Sequence, residues 1–351
     1  MPRACRNSRR AAPPGTSPPR PSAGPGHEST ERPGSPWRSR RTVERRGDTP
    51  VHVVVFGASG YLGAALVERF VAAGHSVTGA VRSDAAAANV RDLGAVPALV
   101  ELTDPHGSLG LLRDADAVVF AAQLMLEPEY RVVSAMLDSL DGTGKTFIFT
   151  SGTAVLSQRT DGEWSADVFA EEDDFVPSKY IGARRNTEDL VLAANRRGIR
   201  GIVVRPSMVW GRGGCPMIRN LYASAAQTGS VCYVGRGLNL YSNVHVDDVA
   251  ELFHLALEKG KPGALYHAVS GETNFRTIAE AVARDLGVPT RSIDLAEAVG
   301  IWDKFTAIIA FSVCSRSRAP RSRVELGWMP DPDRLDILEE VGHPALRRPA
   351  T

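Results

Sequence analysis

Eleven residues, Val53-Val54-Val55-Phe56-Gly57-Ala58-Ser59-Gly60-Tyr61-Leu62-Gly63, leave this chain little choice of local fold. A β-branched run ends in Gly57, which permits a tight turn. Gly60 lets the backbone approach a bound diphosphate, and Gly63 lets the following helix pack closely on the strand. From Tyr61 to Ala73 apolar side chains recur at helical spacing and the segment closes on Gly74. A helix entered this way aims its free N–H groups and the positive end of its dipole at the loop, with Ser59, Tyr61 and Leu62 supplying backbone around the phosphates. A glycine triplet alone is weak evidence. Between a strand and a helix it reads as a dinucleotide-binding turn.

The rest of the chain repeats that alternation. Strands are expected over Val51–Phe56, Ser76–Val81, Val96–Leu102, Ala115–Ala122, Thr146–Ser151 and Ile202–Arg205. Helices are expected over Asp84–Leu93, after the Asp104-Pro105 cap, over Tyr130–Leu140 and over Tyr180–Arg197. Parallel neighbours need crossover helices, so the pattern predicts a doubly wound parallel α/β sheet of Rossmann type. Beyond Gly211 the rhythm loosens into helices at Pro216–Gly229, Asp247–Lys259 and Thr277–Leu286 and a strand at Leu265–Val269. We divide the chain into a leader (1–48), a Rossmann NAD(P)-binding core (49–210) and a smaller substrate-binding lobe interleaved with the core (211–345).

Composition narrows the function classes. The leader holds Pro13-Pro14, Pro18-Pro19 and Pro21 among many Arg, Ser and Gly residues, and is expected to be disordered. Eleven arginines against four acids give the first 50 residues about +7 of an overall +1, leaving the body near −6 with no broad cationic face for nucleic acid. The leader lacks the apolar stretch of a secretory signal, and a physiological start near Val51 is one expectation. No 18-residue apolar run occurs, since Asp303 and Lys304 interrupt Val299–Val313, so no membrane span is expected. Cys5, Cys215, Cys232 and Cys314 form no C-x-x-C pair, and the eight histidines show no H-E-x-x-H. The expectation is a reducing cytoplasm, no disulfide framework and no metal.

Coenzyme choice falls to the end of the second strand, where an acid would bind a ribose hydroxyl and an arginine a 2′-phosphate. Arg82 in Ala80-Val81-Arg82-Ser83 favours NADP over NAD; Asp84 two residues on and a solvated arginine are the competing readings.

Further motifs follow in order: Phe149-Thr150-Ser151-Gly152-Thr153-Ala154-Val155, Tyr180-x-x-x-Arg184-x-x-x-Glu188, Arg205-Pro206-x-x-Val209-Trp210-Gly211 and His245-Val246-Asp247-Asp248-Val249-Ala250. From about Val51 to about Pro330 the chain resembles the extended short-chain dehydrogenase/reductase superfamily, in its NAD-dependent epimerase/dehydratase group and among members with altered catalytic positions. The resemblance implies hydride transfer by a Ser/Thr, Tyr and Lys set. Tyr180 would be the proton carrier, since a phenol with a reference pKa near ~10 needs a fixed cation to act as a base at neutral pH. Arg184 replaces the lysine; a helix through both would place them on one face, one turn apart. The hydroxyl position falls on Gly152, leaving Ser151 or Thr153 as substitutes. The resemblance further implies that Glu101 and Leu102 face the adenine, that Ala121 and Ala122 let the coenzyme pass, and that Pro206 to Val209 line the nicotinamide side. It implies a homodimer through helices 130–140 and 180–197. Asp247 or Asp248 reads as the N-cap of the helix after His245.

Nucleotide-sugar members carry an arginine four residues before that histidine; here Tyr241 stands there. Its loss points to an uncharged or weakly charged small carbonyl or alcohol substrate. A nucleotide-sugar epimerase or dehydratase and a non-catalytic NADP-binding regulator stand as the alternatives. Arg316, Arg318, Arg321 and Arg323 read as a wet, mobile surface stretch.

Overall fold

Val53 to Phe56 are wholly buried, and their side chains divide between two cores, as the pleat of a strand covered on both faces requires. The computed structural model describes residues 49–102 and 105–347. The leader over 1–48 and the Asp104 cap lie outside the described residues.

The first five strands are β1 (His52–Phe56), β2 (Ser76–Val81), β3 (Val96–Leu99), β4 (Ala117–Phe120) and β5 (Thr146–Thr150), each followed by a helix or helical turn. The helices between them are α1 (Tyr61–Ala72), α2 (Asp84–Asp92), α3 (Pro105–Gly110) and α4 (Leu126–Ser139). A short β6 (Gln158–Arg159) precedes α5 (Arg184–Ala193) and β7 (Arg200–Pro206). Then come β8 (Met208–Trp210), α6 (Pro216–Thr228), β9 (Val231–Val234), β10 (Leu240–His245), α7 (Val246–Lys259) and β11 (Ala264–Ala268). Seven strands form one sheet in the order β11-β7-β5-β4-β1-β2-β3, every pair parallel. This is the doubly wound sheet expected from the alternation. The order reverses between β1 and β4, and ligands of such sheets bind outside the carboxyl ends of the strands at that reversal.

Val53, Val55, Leu66, Phe70, Ile148 and Phe253 pack on one face of the sheet; Val54, Phe56, Phe120, Phe147, Phe149 and Met136 pack on the other. Each such side chain contributes about 1.5–3 kcal/mol of burial. A third core gathers Trp210, Ile218, Tyr233, Tyr241, Phe275 and Phe311 beneath the cleft wall. α7 and β11 belong to the first body although they follow the start of this third core in sequence.

Three local expectations are corrected. α4 begins at Leu126, not Tyr130, because Glu127 and Glu129 place acids in its first turn, where the helix dipole favours them. α5 begins at Arg184, not Tyr180. Gly182 N–H bonds Ser178 O at 2.6 Å, and Arg184 and Arg185 bond the carbonyls three residues back, so Tyr180 lies in a tight turn before the helix. α7 is capped by His245, whose Nδ1 accepts the Asp247 N–H at 3.2 Å. Asp247 and Asp248 already sit inside the helix and pair with Arg334.

The arginine stretch is also different from expectation. Arg316 grips Glu272 through two bonds of 2.9 Å, Arg321 pairs with Glu172, and Arg318 with Asp173. Loose surface charge thus gives way to ion pairing at three of the four positions. No described helix is long and apolar enough to cross a membrane.

Candidate active site

β1 hands its chain to α1 through the glycine loop, and the backbone there explains each glycine. Gly57 has φ +81°, and a Cβ on it would lie 2.8 Å from Ala121 O and from the Ala122 backbone. On Gly63 a Cβ would fall 2.0 Å from Gly57 O, so loop and helix touch with no room for a side chain. On Gly60 it would meet only Gly57 O, at 3.2 Å; the rest of its surroundings is open. That open face leaves the loop backbone at Gly60 accessible. Gly60 caps α1 with no side-chain bond, and the first turn holds no acid to compete with an anion.

The loop forms one wall of a cleft of about 640 Å³ at the carboxyl ends of the strands. Gly57, Ser59, Gly60, Tyr61, Leu62 and Gly63 line its glycine-loop section. Arg82, Glu101 and Leu102 line one end, Ala121 and Ala122 the floor, and Ser151 and Arg184 the other end. Sequence reasoning thus brought thirteen residues to one surface. Asp84 is not among its lining residues. Tyr61 donates to Gly211 O at 2.7 Å and ties α1 to the segment after β8; burial pushes its phenol up.

Four expected site residues lie elsewhere. Pro206 is in the sheet opposite Ala268, and Val209, in β8, pairs with Val244 of β10. Thr153 is buried in the turn Thr153–Leu156, where its carbonyl accepts the Ser315 hydroxyl at 3.1 Å. Tyr180, 41% exposed, opens onto a separate cavity of about 300 Å³ with Ser157, Arg159, Lys179, Ile308 and Val313. The expected Tyr180–Arg184 helical face therefore does not form.

Arg184 is instead held by a residue the sequence reading missed. Its Nε and Nη2 donate to the Glu129 carboxylate at 3.1 and 2.8 Å. Burial pushes the Glu129 carboxyl up, against the opposing pull of Arg184. A signal for it exists: Glu129 shares the buried face of α4 with Val133, Met136 and Leu137, an acid at an apolar position of the helical period. Below Ser151 lies a second missed group, in which Glu188 pairs with Arg205 and both are fully buried. Glu188 stands in the Tyr180 motif but carried no assigned role.

A His/carboxylate cluster, His75, His254 and Glu258, lies at the amino-terminal ends of the strands, away from the cleft. His254 Nε2 bonds Glu258 at 2.8 Å, and His75 Nδ1 accepts the Val51 N–H at 3.4 Å. An accepting Nδ1 puts the proton on Nε2, which suits a hydrogen bond better than a metal.

The model of the NAD dependent epimerase/dehydratase family matches residues 53–269. An uncharacterized protein of Saccharomyces cerevisiae is 32% identical over 307 residues, covering 82% of this chain and 97% of its own. A 4-hydroxy-2-methyl-3-oxo-4-farnesyl-3,4-dihydroquinoline-1-oxide ketoreductase of Stigmatella aurantiaca is 31% identical over 231 residues, 62% of this chain and 67% of that one. Among solved structures, a dTDP-glucose 4,6-dehydratase of Bacillus anthracis in complex with NAD superposes with a TM-score of 0.66 at 17% identity, over 83% of this chain and 95% of that one.

Proposed function

This chain belongs to the NAD-dependent epimerase/dehydratase family, a premise from which we propose that it is an NADP-preferring reductase of a small carbonyl compound, working reversibly on the matching alcohol. The observation that carries the reading is the cleft itself: a continuous surface running from Arg82, across the open face of Gly60, to Ser151 and Arg184. The nicotinamide coenzyme supplies or accepts the hydride when bound. The chain's residues do the rest.

The α1 amino terminus binds the diphosphate through backbone N–H groups. Arg82, exposed at the cleft edge and with Asp84 off the lining, favours a 2′-phosphate. Glu129 and Arg184 form a neutral pair at the far end, able to accept from ribose hydroxyls through the carboxylate and donate through the remaining guanidinium N–H groups. Tyr180 is the proposed proton donor to the carbonyl oxygen, reached from the cavity it shares with Lys179 and Arg159. The ketoreductase relative supports a carbonyl substrate.

Tyr241 weighs against the nucleotide-sugar alternative. It is buried against Phe275 in the third core, and burial pushes its phenol up to about 12, so this position supplies neither a cation nor a cleft contact. The family reading also carries a cytoplasmic homodimer through α4 and α5, which light scattering and fractionation test. The function is tested by titrating the full chain with NADPH and NADH and following NADPH absorbance against ketone and aldehyde panels. Binding without any turnover would favour the non-catalytic alternative. Absence of binding would remove the reading altogether.

A further inference from the structure

We infer that Ser151 meets the bound ligand only as a hydrogen-bond acceptor, taking an N–H or O–H from it, and does not polarise the substrate carbonyl. The inference rests on the coenzyme occupying the cleft. It changes the role that the family resemblance gives to this hydroxyl.

Arg205, 1% exposed, donates through Nε and Nη2 to the two oxygens of Glu188 at 2.8 and 2.5 Å. Its Nη1 reaches His267 Nε2 at 3.4 Å, and His267 Nδ1 bonds Arg318 O at 3.0 Å. The only consistent tautomer has Nδ1 donating to that carbonyl and Nε2 accepting from the guanidinium. A guanidinium keeps its charge in proteins, and a buried one left without a counter-ion is strongly destabilising, so Glu188 is ionised.

Ser151 Oγ lies 2.5 Å from Glu188 Oε1. An ionised carboxylate can only accept, and a serine hydroxyl has one proton to give. That proton goes to Glu188. What Ser151 presents to the cleft is therefore lone pairs alone. A ketone oxygen also presents lone pairs and gains nothing there; an alcohol O–H, or the amino group of the coenzyme carboxamide, finds an acceptor strengthened by its own bond to a carboxylate. The scaffold fixes the arrangement: Ser151 follows β5, Glu188 is on α5 and Arg205 on β7, which is paired with β5.

The test compares ligands that differ by one donor, in the full chain and its Ser151→Ala and Glu188→Gln variants. For the coenzyme, NADPH is compared with its reduced 3-acetylpyridine analogue, which replaces the carboxamide amino group with a methyl. For the substrate side, 1-phenylethanol is compared with acetophenone on the coenzyme-loaded protein. The expected result is a fivefold to tenfold fall, in Ser151→Ala, in the preference for the donor-bearing ligand of at least one pair. Which pair responds tells which ligand donates. Glu188→Gln keeps the hydroxyl but lets the amide donate to it, and should move the same ratio in the same direction. Unchanged ratios in both pairs, or a loss confined to acetophenone, would overturn the inference. Failure of NADPH to bind at all would instead overturn the coenzyme reading, and the same titration reads it directly.

Discussion

The glycine loop and the Tyr180 turn, the two parts that the proposed reaction would use, are built by different means. The loop works through backbone shape: a carbonyl 2.0 Å from where a Cβ of residue 63 would stand admits only glycine. The corner that holds Tyr180, Arg184 and Gly152 works through side-chain chemistry, and there each of two family positions has changed. Backbone geometry imposed by contact is hard to alter without losing the fold. A side-chain constellation can be rebuilt around new partners, as Glu129 does for Arg184.

The contrast breaks most visibly if the loop tolerates change. Gly63→Ala drives a methyl into Gly57 O and should cost about 3 kcal/mol of stability, with coenzyme affinity falling about a hundredfold or more. Gly60→Ala meets a single atom at 3.2 Å, so its melting temperature should stay near that of the parent while affinity falls about tenfold. Equal melting temperatures for the two variants would show that the loop is not held by contact.

On the other side, Tyr180→Phe should lower turnover about a hundredfold, within the range of general acid–base catalysis, and leave NADPH affinity unchanged. The turn position and the separate cavity make this the sharper test of the corner. Unchanged turnover would move the proton donor to a cleft residue and leave Tyr180 as a wall of its own cavity.

Much of this was legible because it depends on short stretches. The turn of residues 57–63 and the parallel sheet follow from periodicity and local sterics that a sequence displays, while Glu101, Leu102, Ala121, Ala122, Ser151 and Arg184 were reached only through the family resemblance. What escaped was set by distant partners. The late start of α5 comes from the tight turn closed by the Gly182 N–H on Ser178 O, ahead of Arg184. Glu129 and Arg184 are 55 residues apart, and Ser151 and Glu188 are 37 apart, so neither bond leaves a pattern in a window of sequence. Thr153 and Val209 were placed by analogy to motifs whose side chains here turn into packing.

A middle-sized effect probes specificity within the backbone-built half. Arg82→Asp exchanges a charge-assisted donor, worth about 1.5–3 kcal/mol, for an acceptor suited to a ribose hydroxyl. The ratio of NADPH to NADH affinity should fall by about ten- to a hundredfold or slightly more. A ratio that does not move would assign Arg82 to solvent.

Beneath the corner, burial and the nearby Arg205 push His267 down to about 3 from an ordinary 6.5. The unfolded chain then takes up a proton below about 6.5 that the folded chain refuses until about 3. Stability must fall as pH drops through that window, by up to about 1.4 kcal/mol per pH unit from this group. Urea melts of the parent and His267→Gln at pH 7, 5.5 and 4.5 should show the gap between them narrowing as acid is added. A constant gap would mean that the folded imidazole takes up its proton over the same pH range as the unfolded one.

The smallest expected change is a gain. Gly152, where the family resemblance would put the hydroxyl, has φ near −176°, an extended conformation open to any residue, and a Cβ there would meet only Pro206 O, at an ordinary 3.7 Å. Ser151 cannot stand in as donor, because its one hydroxyl proton is directed to the Glu188 carboxylate. Gly152→Ser should therefore fold with little change in melting temperature and add a hydroxyl whose proton is uncommitted. One neutral hydrogen bond to a developing oxyanion is worth about 1 kcal/mol, so turnover should rise about fivefold while NADPH affinity stays level. A variant that folds and binds NADPH like the parent but is no faster would show that the corner already supplies its own donor, and would place the next search on the free N–H groups of Arg184.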